Sequence, residues 1–401
     1  MNNVTLFAQI MQTLDRFAFS KLVGIHGSDK HAKGITSWTH LVTMLFCQFS
    51  KLNSLRDVCN GLKSASGNLN HLGVARAPCK SSLSYQNKHR EWPLFKDYYF
   101  AMMKKLAGMA QFRQTRFKVK SKILLLDSTT ISLCLSLYDW AKFRKKKGAI
   151  KLHTLLDYDG CLPVFVHMTD GKPHDSTVAK ELSLPADAVV IADRAYIDFS
   201  TLYRWKAEGS YFVVRLKQSV QFTRGKEKPL PDNRHQHILV DEYIELSHSK
   251  TYQKYPAKLR RVVVYDPQKD QTIELITNQF YPAANTIGEL YKARWEIEVF
   301  FKEIKQLLKI KSFLGTTTNA VLIQIWTAMI TMLILKYLKA CATYSWCLSN
   351  MVAFLRLNLF VKFDLKKLLN EPFEPPDPSE GTDHIQISLF EWGGIKGEMR
   401  K

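Results

Sequence analysis

Acidic side chains are scarce in this chain of 401 residues: 36 Asp and Glu stand against 57 Lys and Arg, a net charge of +21. The deficit is deepest in residues 1–122, where 5 acids face 19 basic residues and leave +14. Such an imbalance argues against an ordinary small-metabolite enzyme and for a polyanionic partner, most often nucleic acid. The seven cysteines (47, 59, 79, 134, 161, 341 and 347) are odd in number, scattered, and form no CxxC pair. That speaks against a structural zinc site and a disulfide scaffold, and for small core residues in a reduced, cytoplasmic protein. No charged segment followed by an apolar core opens the chain, so no signal peptide is expected. The greasiest window, Val321 to Leu335, is interrupted by Gln324, Thr327 and Thr331. It falls short of the roughly 20 apolar residues that cross a bilayer, so a buried helix and no membrane partner are expected.

What is present changes character along the chain. Residues 1 to 110 read as helical: Phe7, Ile10, Leu14 and Phe17 recur at helical spacing, as do Leu41, Met44, Leu45 and Gln48 after Ser37, a plausible N-cap. Ser54 to Gly61 is a short helix expected to end at its glycine. After a Gly/Ser/Asn-rich bend comes Lys80-Ser-Ser-Leu-Ser-Tyr-Gln-Asn-Lys-His-Arg90. A short helix, a turn and a second helix of this polar, basic composition would suit major-groove docking; a helical subdomain with a solvated face is the bland alternative. From 118 the pattern becomes strand-like, with Ile123-Leu-Leu-Leu-Asp127, a hairpin turning at Tyr158-Asp-Gly160, a helix from Ser176 that Asp175 would cap, and strands at 188–192 and 210–217. This order describes a mixed sheet with helices packed on it. Residues 218–282 break the alternation with a polar loop (Arg224 to Gln236) and β-rich pieces; helices follow, and Glu371-Pro-Phe-Glu-Pro-Pro-Asp-Pro opens an acidic, Pro-rich tail.

The most informative run is Tyr291 to Lys305. On one helix, at about 100° per residue, Tyr291, Arg294, Glu298, Lys302 and Lys305 fall within an arc of about 80°. The adjoining flank carries Ile297, Phe300, Phe301 and Ile304. One carboxylate among cations and a phenol suits a residue that holds a metal ion while its neighbours grip phosphates. Asp127 and Asp193 each follow an apolar strand and so stand at the carboxyl edge of a sheet, where open α/β sheets bind ligands. Converging with Glu298, they would hold two Mg²⁺ ions through oxygen ligands, and such a pair assists in-line displacement at a phosphodiester. Turn or capping roles for the aspartates, and a simple Glu298–Lys302 pair, are the plain alternatives. His153, His167 and His174 suit surface or hydrogen-bonding roles better than a mixed metal site.

The spacing Tyr-x2-Arg-x3-Glu-x6-Lys, filled by Tyr291, Arg294, Glu298 and Lys305, resembles the signature of the IS4-family DDE transposases of bacterial insertion sequences. Asp193-Arg-Ala-Tyr196 is similar to that family's second-aspartate motif, with Ala where Gly is common. Leu126-Asp127-Ser-Thr resembles the first motif, and Phe212-Val-Val-Arg215-Leu-Lys217 the following strand. The resemblance covers about 118–340, and more loosely the first 75 residues resemble the helical N-terminal domain of many such proteins.

The resemblance implies an α/β chain with an RNase H-like mixed sheet and flanking helices, interrupted by a β-rich insertion and preceded by a helical DNA-binding domain. Its divisions would be 1–110 for DNA binding, 118–217 and 283–345 for the two parts of the core, 218–282 for the insertion, and 346–401 for a C-terminal helical segment and tail. It further implies that Asp127, Asp193 and Glu298 bind two Mg²⁺ ions, with Mn²⁺ able to substitute. Tyr291, Arg294 and Lys305 would contact phosphates near the cleaved end of double-stranded DNA, with Arg215 and Lys217 as further contacts. A nucleoid-associated enzyme would bind terminal inverted repeats and target DNA, dimerise when engaged, cut, and join strands. An aromatic of the insertion, with Tyr252, Tyr255 and Tyr265 as candidates, would stack on a base. The alternatives are a catalytically silent DNA-binding protein of the same fold and an RNase H-like nuclease without strand transfer.

Overall fold

The computed structural model describes residues 3–373 except 66, 113–116, 118–120, 134–137, 139, 141, 145–146, 170–174 and 231–236. His174, residues 145–146 of the Lys-rich stretch Lys142 to Lys151, which could follow a DNA backbone or be a solvated loop, the end of the polar loop and the tail from 374 lie outside the described residues.

Among the described residues six α-helices come first: α1 (Leu6–Gln12), α2 (Arg16–His26), α3 (Ser37–Ser50), α4 (Leu55–Ser64), α5 (Lys80–His89) and α6 (Pro93–Ala107). The stripe from Phe7 to Phe17 is two helices, because the Asp15 carboxylate accepts from Ala18 N–H at 2.9 Å and starts α2 afresh. Thr36, rather than Ser37, caps α3. Gly61 does not end α4. It lies inside the helix, where a Cβ would sit 2.9 Å from the Phe46 ring, so the glycine serves close packing of α4 on α3.

Among the described residues ten strands then form one sheet: β1 (Ile123–Leu133), β2 (Lys142–Arg144), β3 (Lys147–Asp157), β4 (Leu162–Thr169), β5 (Val189–Ala192), β6 (Tyr211–Arg215), β7 (Phe222–Glu227), β8 (Ile238–Leu246), β9 (Leu259–Asp266) and β10 (Gln271–Thr277). The order is β2-β3-β1-β5-β6-β10-β9-β8-β7, with β4 also paired to β3. Strands β1, β5 and β6 are parallel, and the pairings outside them are antiparallel. The β-rich stretch 218–282 therefore extends the same sheet, through β10 against β6, and part of the expected polar loop is strand β7. Helices α7 (Asp175–Ala179), α8 (Phe199–Ala207) and α9 (Ser249–Lys254) belong to this half.

Alternation along β1 separates two cores. Leu124 and Leu126 join Leu202, Trp205 and Tyr196 on one face. Ile123 and Leu125 join the other core, with α10 (Ala284–Ala293), α11 (Trp295–Leu307) and α12 (Thr318–Cys341). That second core runs on into the N-terminal helices, since α3 and α6 pack on α12. Helix α12 is long and apolar enough to cross a membrane, yet 83% of its most apolar window is buried inside the protein, as the interrupted sequence leads one to expect. Helices α13 (Leu348–Leu357) and α14 (Leu365–Asn370) close the described chain, and the segment between them pairs with α1 through Leu6 N–H to Val361 O at 2.9 Å.

Two buried histidines make the fold acid-sensitive. His40 on α3 is fully buried against Phe95, with Nε2 2.7 Å from Asn87 Oδ1, and burial above all holds its pKa down at about 3. His153 on β3 is held at about 4, again chiefly by burial. Because both values lie below the ordinary 6.5, the unfolded chain takes up protons first as pH falls. Their stabilising effect is complete above pH 6.5 and is lost downward. Urea unfolding is expected to lose roughly 2 kcal/mol per histidine between pH 7 and pH 5. A flat profile over that window would contradict this.

Candidate active site

The site grows out of the register of two strands. β1 and β5 pair in parallel with Leu126 opposite Ala192, and β5 stops there while β1 continues to Leu133. The next residues along are Asp127 and Asp193, on strands about 4.8 Å apart. Asp127 is therefore not at a strand end. It lies within β1, opposite Thr154 of β3, and is the first β1 residue beyond the end of its β5 partner. Asp193 leaves β5 in extended conformation and opens the 3₁₀ turn Arg194–Tyr196.

The third acid comes from the helix pair α10–α11. The Tyr291–Lys305 run is not one uninterrupted helix: Arg294 ends α10 and begins α11, with Arg294 N–H bonded to Tyr291 O at 3.1 Å and Ile297 N–H to Arg294 O at 3.2 Å. Both are i to i−3 bonds, so the chain tightens by a turn at this point. The backbone of Arg294 stays right-handed helical, with φ −53° and ψ −26°, and the cationic side of the run survives the junction. Ile297, Phe300, Phe301 and Ile304 are buried, which seats α11 over the face of β1 that carries Asp127.

Arg294 ties the acids together. Its Nη1 lies 3.2 Å from Asp127 Oδ2 and its Nη2 2.6 Å from Glu298 Oε1. The Tyr291 hydroxyl donates to Asp193 Oδ1 at 3.4 Å. Burial pushes the Asp127 carboxyl up to about 6; Glu298 and Asp193 add to the rise, while the Ser128 N–H and Arg294 oppose it. The Tyr291 phenol is pushed up to about 12, mainly by burial. Arg215 is close enough to Tyr291 to act on it electrostatically, whereas Lys217 donates to Ile197 O at 3.3 Å, away from the acids. Lys305 stands farther down α11 beside Lys311; burial first, then that like charge, lowers its pKa.

The structure thus brings Asp127, Glu298 and Arg294 into one hydrogen-bonded group and Tyr291 with Asp193 into a second, with the Arg294 guanidinium 5.7 Å from the Tyr291 ring between them; Lys217 and Lys305 belong to neither. Among the described residues, no three His, Cys, Asp or Glu side chains stand close enough to share a metal ion as placed. The donor set nevertheless fits hard divalent cations, being all carboxylate oxygen. The Arg294 guanidinium lies where two of those carboxylates already need a positive charge.

Sequence reasoning missed Trp295, 56% exposed beside Arg294, with Lys269 Nζ 5.5 Å from its ring. The three tyrosines proposed as stacking partners fare differently. Tyr255 is fully buried, Tyr252 is 48% exposed on α9, and Tyr265 donates to Asp270 at 2.7 Å. Also missed was Asp175, which opens α7 but turns its carboxylate to Ser128, Lys151 and His153.

Carboxylates at a sheet edge beside an Arg and a Tyr are the geometry the chain presents, and comparison with known sequences gives its family. The family profile of the transposase DDE domain matches residues 118–334, more than half the chain, and the protein belongs to that family. Residues 2–75 match a domain of unknown function. A Geobacillus stearothermophilus protein named as the transposase of insertion sequence element IS5377 is 31% identical over 228 residues, 56% of this chain and 59% of its own length. A Sinorhizobium fredii protein named as transposase y4zB is 34% identical over 233 residues, 58% and 64% of the two chains. A Synechocystis protein named as the transposase of element IS4SA is 24% identical over 261 residues, 64% of this chain and 71% of its own. The matched region thus spans less than two thirds of the first two relatives. A piggyBac transposase synaptic complex with hairpin DNA superposes with a TM-score of 0.44 and 10% identity over 97% of this chain and 89% of its own, a likeness too distant to extend to function.

Proposed function

We propose that this protein is an IS4-type insertion-sequence transposase with an RNase H-like core, which binds terminal inverted repeats, cuts there, and joins the freed end to target DNA. The observation that carries the reading is the register of β1 and β5, which makes Asp127 and Asp193 neighbours under the helix bearing Glu298. Two adjacent central strands and one covering helix supplying three carboxylates is the arrangement an RNase H-like core requires. Asp127, Asp193 and Glu298 would hold the metal ions. When bound, a Mg²⁺ pair, with Mn²⁺ as substitute, supplies the charge that activates an attacking oxygen and steadies the leaving one.

The chain's own residues supply the rest. The Arg294 fork, released from Asp127 and Glu298, is a bidentate donor for a phosphate, and Tyr291 is a neutral donor beside it. Arg215 lies near enough to contribute, and Trp295 offers an open aromatic face at the rim. End recognition falls to a groove of about 700 Å³ between residues 28–35 and α5. Ser81, Ser82, Tyr85, Gln86 and His89 line it as one helical stripe, and Lys30, His31 and Lys33 face them. Arg90 braces the opposing segment through Asp29 and the Thr36 and Ile35 carbonyls. Neutral hydrogen-bonding side chains flanked by cations suit base edges flanked by phosphates. Synapsis of two ends makes the engaged form a dimer, in a nucleoid-associated cytoplasmic protein.

The test is Mg²⁺-dependent nicking of a duplex carrying the element's own terminal repeat, followed by joining to a plasmid. Nicked and joined products lost in Asp193→Ala are expected. Nicking without joining identifies a nuclease, and wild-type binding without nicking a silent DNA-binding protein. In the same assay, replacing Lys30 and Lys33 by Ala should lower the salt slope of end binding by about 0.9 for each phosphate contact removed. An unchanged slope would show that the groove is not the contact surface.

A further inference from the structure

On the face of the sheet opposite the three acids lies a second polar cluster, centred on Asp175. Its Oδ1 accepts from the Ser128 hydroxyl at 2.8 Å and from Lys151 Nζ at 2.6 Å, and lies 3.4 Å from His153 Nδ1. Asp175 is only 16% exposed and His153 not at all. The other ring nitrogen of His153 is 3.2 Å from the Thr169 hydroxyl, which ties β4 to the cluster. The Tyr196 phenol is buried beside Ser128 and Asp175, and its pKa is driven well up, first by burial and then by Asp175.

These residues share a place in the chain. Ser128 directly follows Asp127, and its N–H donates to Asp127 Oδ1 at 2.7 Å. Tyr196 closes the 3₁₀ turn that Asp193 opens, with Tyr196 N–H bonded to Asp193 O at 3.0 Å. Helix α7, which begins with Asp175, packs on that turn. Successive strand residues point to opposite faces. A side chain that fixes Ser128 from one face therefore fixes the direction of Asp127 on the other.

We infer that Asp175 is a positioning residue: by bonding Ser128 directly and by opening the helix that packs on the Tyr196 turn, it sets the spacing and orientation of Asp127 and Asp193 across the sheet. The inference rests on the metal-binding reading of those two acids. Asp175 itself touches neither of them, so its influence passes through the backbone of Ser128 and of the 194–196 turn. The network is charge-assisted and screened from water, so removing its acceptor leaves Lys151 and Ser128 to find new partners and loosens the side-chain tie at the residue after Asp127, where only the β3 ladder then holds β1.

The test is Mn²⁺ binding to the full chain, followed calorimetrically in the absence of DNA, with unfolding temperature measured alongside. Wild type is expected to bind Mn²⁺, and Asp127→Asn to lose that binding. Asp175→Ala and Ser128→Ala should each bind about 10- to 100-fold more weakly, the usual effect of removing a group that orients a metal ligand. Asp175→Asn keeps an oxygen that can accept from Ser128, and should recover most of the affinity. Ser128→Ala removes one hydroxyl and decides the matter if Asp175→Ala fails to fold. Wild-type affinity in a folded Ser128→Ala or Asp175→Ala would overturn the positioning role while leaving the metal site standing. Absence of Mn²⁺ binding in wild type would instead overturn the metal reading, and this role with it.

Discussion

Glu298→Ala is expected to cut terminal-repeat DNA at least a thousandfold more slowly than wild type, about 4 kcal/mol of barrier, while binding the same DNA with little change. The expectation follows from where Glu298 stands. It is the acid of α11 bonded to the Arg294 fork, at 2.6 Å, beside Asp127 on the same guanidinium. Its side chain is 34% exposed, so water can fill the space that truncation to Ala leaves, and Arg294 keeps Asp127 as a partner. Cleavage rate and binding affinity should therefore separate cleanly, which a folding defect would not allow. Near-normal cutting by Glu298→Ala would mean that the third acid has been misassigned, with Glu296 the next residue to test.

Arg294→Ala should show a large and diagnostic effect on stability. Arg294 is 18% exposed and neutralises both Asp127 and Glu298, which are 20% and 34% exposed. Its loss leaves two carboxylates facing each other with Asp193 nearby. At pH 7 about 2 to 3 kcal/mol of destabilisation is expected, somewhat below the 3–5 kcal/mol of a fully buried pair losing one partner. Mg²⁺ should restore much of this, because a cation that binds only the folded acids stabilises by mass action. Thermal unfolding with and without Mg²⁺ checks the expectation, and the shift should be larger in the variant than in wild type. An equal shift in both would show that Arg294 and the metal do not compete for the same oxygens. End binding by the variant should also weaken, with a flatter salt dependence, since a phosphate contact is lost.

Several parts of this arrangement were legible in the sequence because they are local. Apolar runs ending in an acid mark the strands under Asp127 and Asp193, and the spacing from Tyr291 to Lys305 marks a cationic helical side, though as one helix where the structure has two that meet at Arg294. What escaped depends on register and long-range packing. Asp127 looked like a strand terminus because its neighbour Ser128 is polar, yet Ser128 to Leu133 continue as strand by pairing with β3. Asp175 looked like a helix cap because Ser176, Thr177 and Val178 follow it. Only the pairing of Ser128 opposite His153 reveals its other partners. Gly61 looked like a helix stop because nothing in the sequence announces the Phe46 ring against it. Nor does any local pattern indicate that α3 and α6 lean on α12, which joins the first hundred residues to the same core as the site. Trp295 gives no local sign of its 56% exposure, since an aromatic in an amphipathic helical run is most often a core residue.

Whether three carboxylates distant in sequence share divalent metal at the β1–β5 edge can be read from the anomalous signal of Mn²⁺ in crystals of the protein with terminal-repeat DNA. Mn²⁺ peaks bounded by the oxygens of Asp127, Asp193 and Glu298 are expected, with the Arg294 guanidinium moved off Asp127 and onto a phosphate. Peaks elsewhere, or an Arg294 still clamped between Asp127 and Glu298 in crystals that cut DNA, would contradict this.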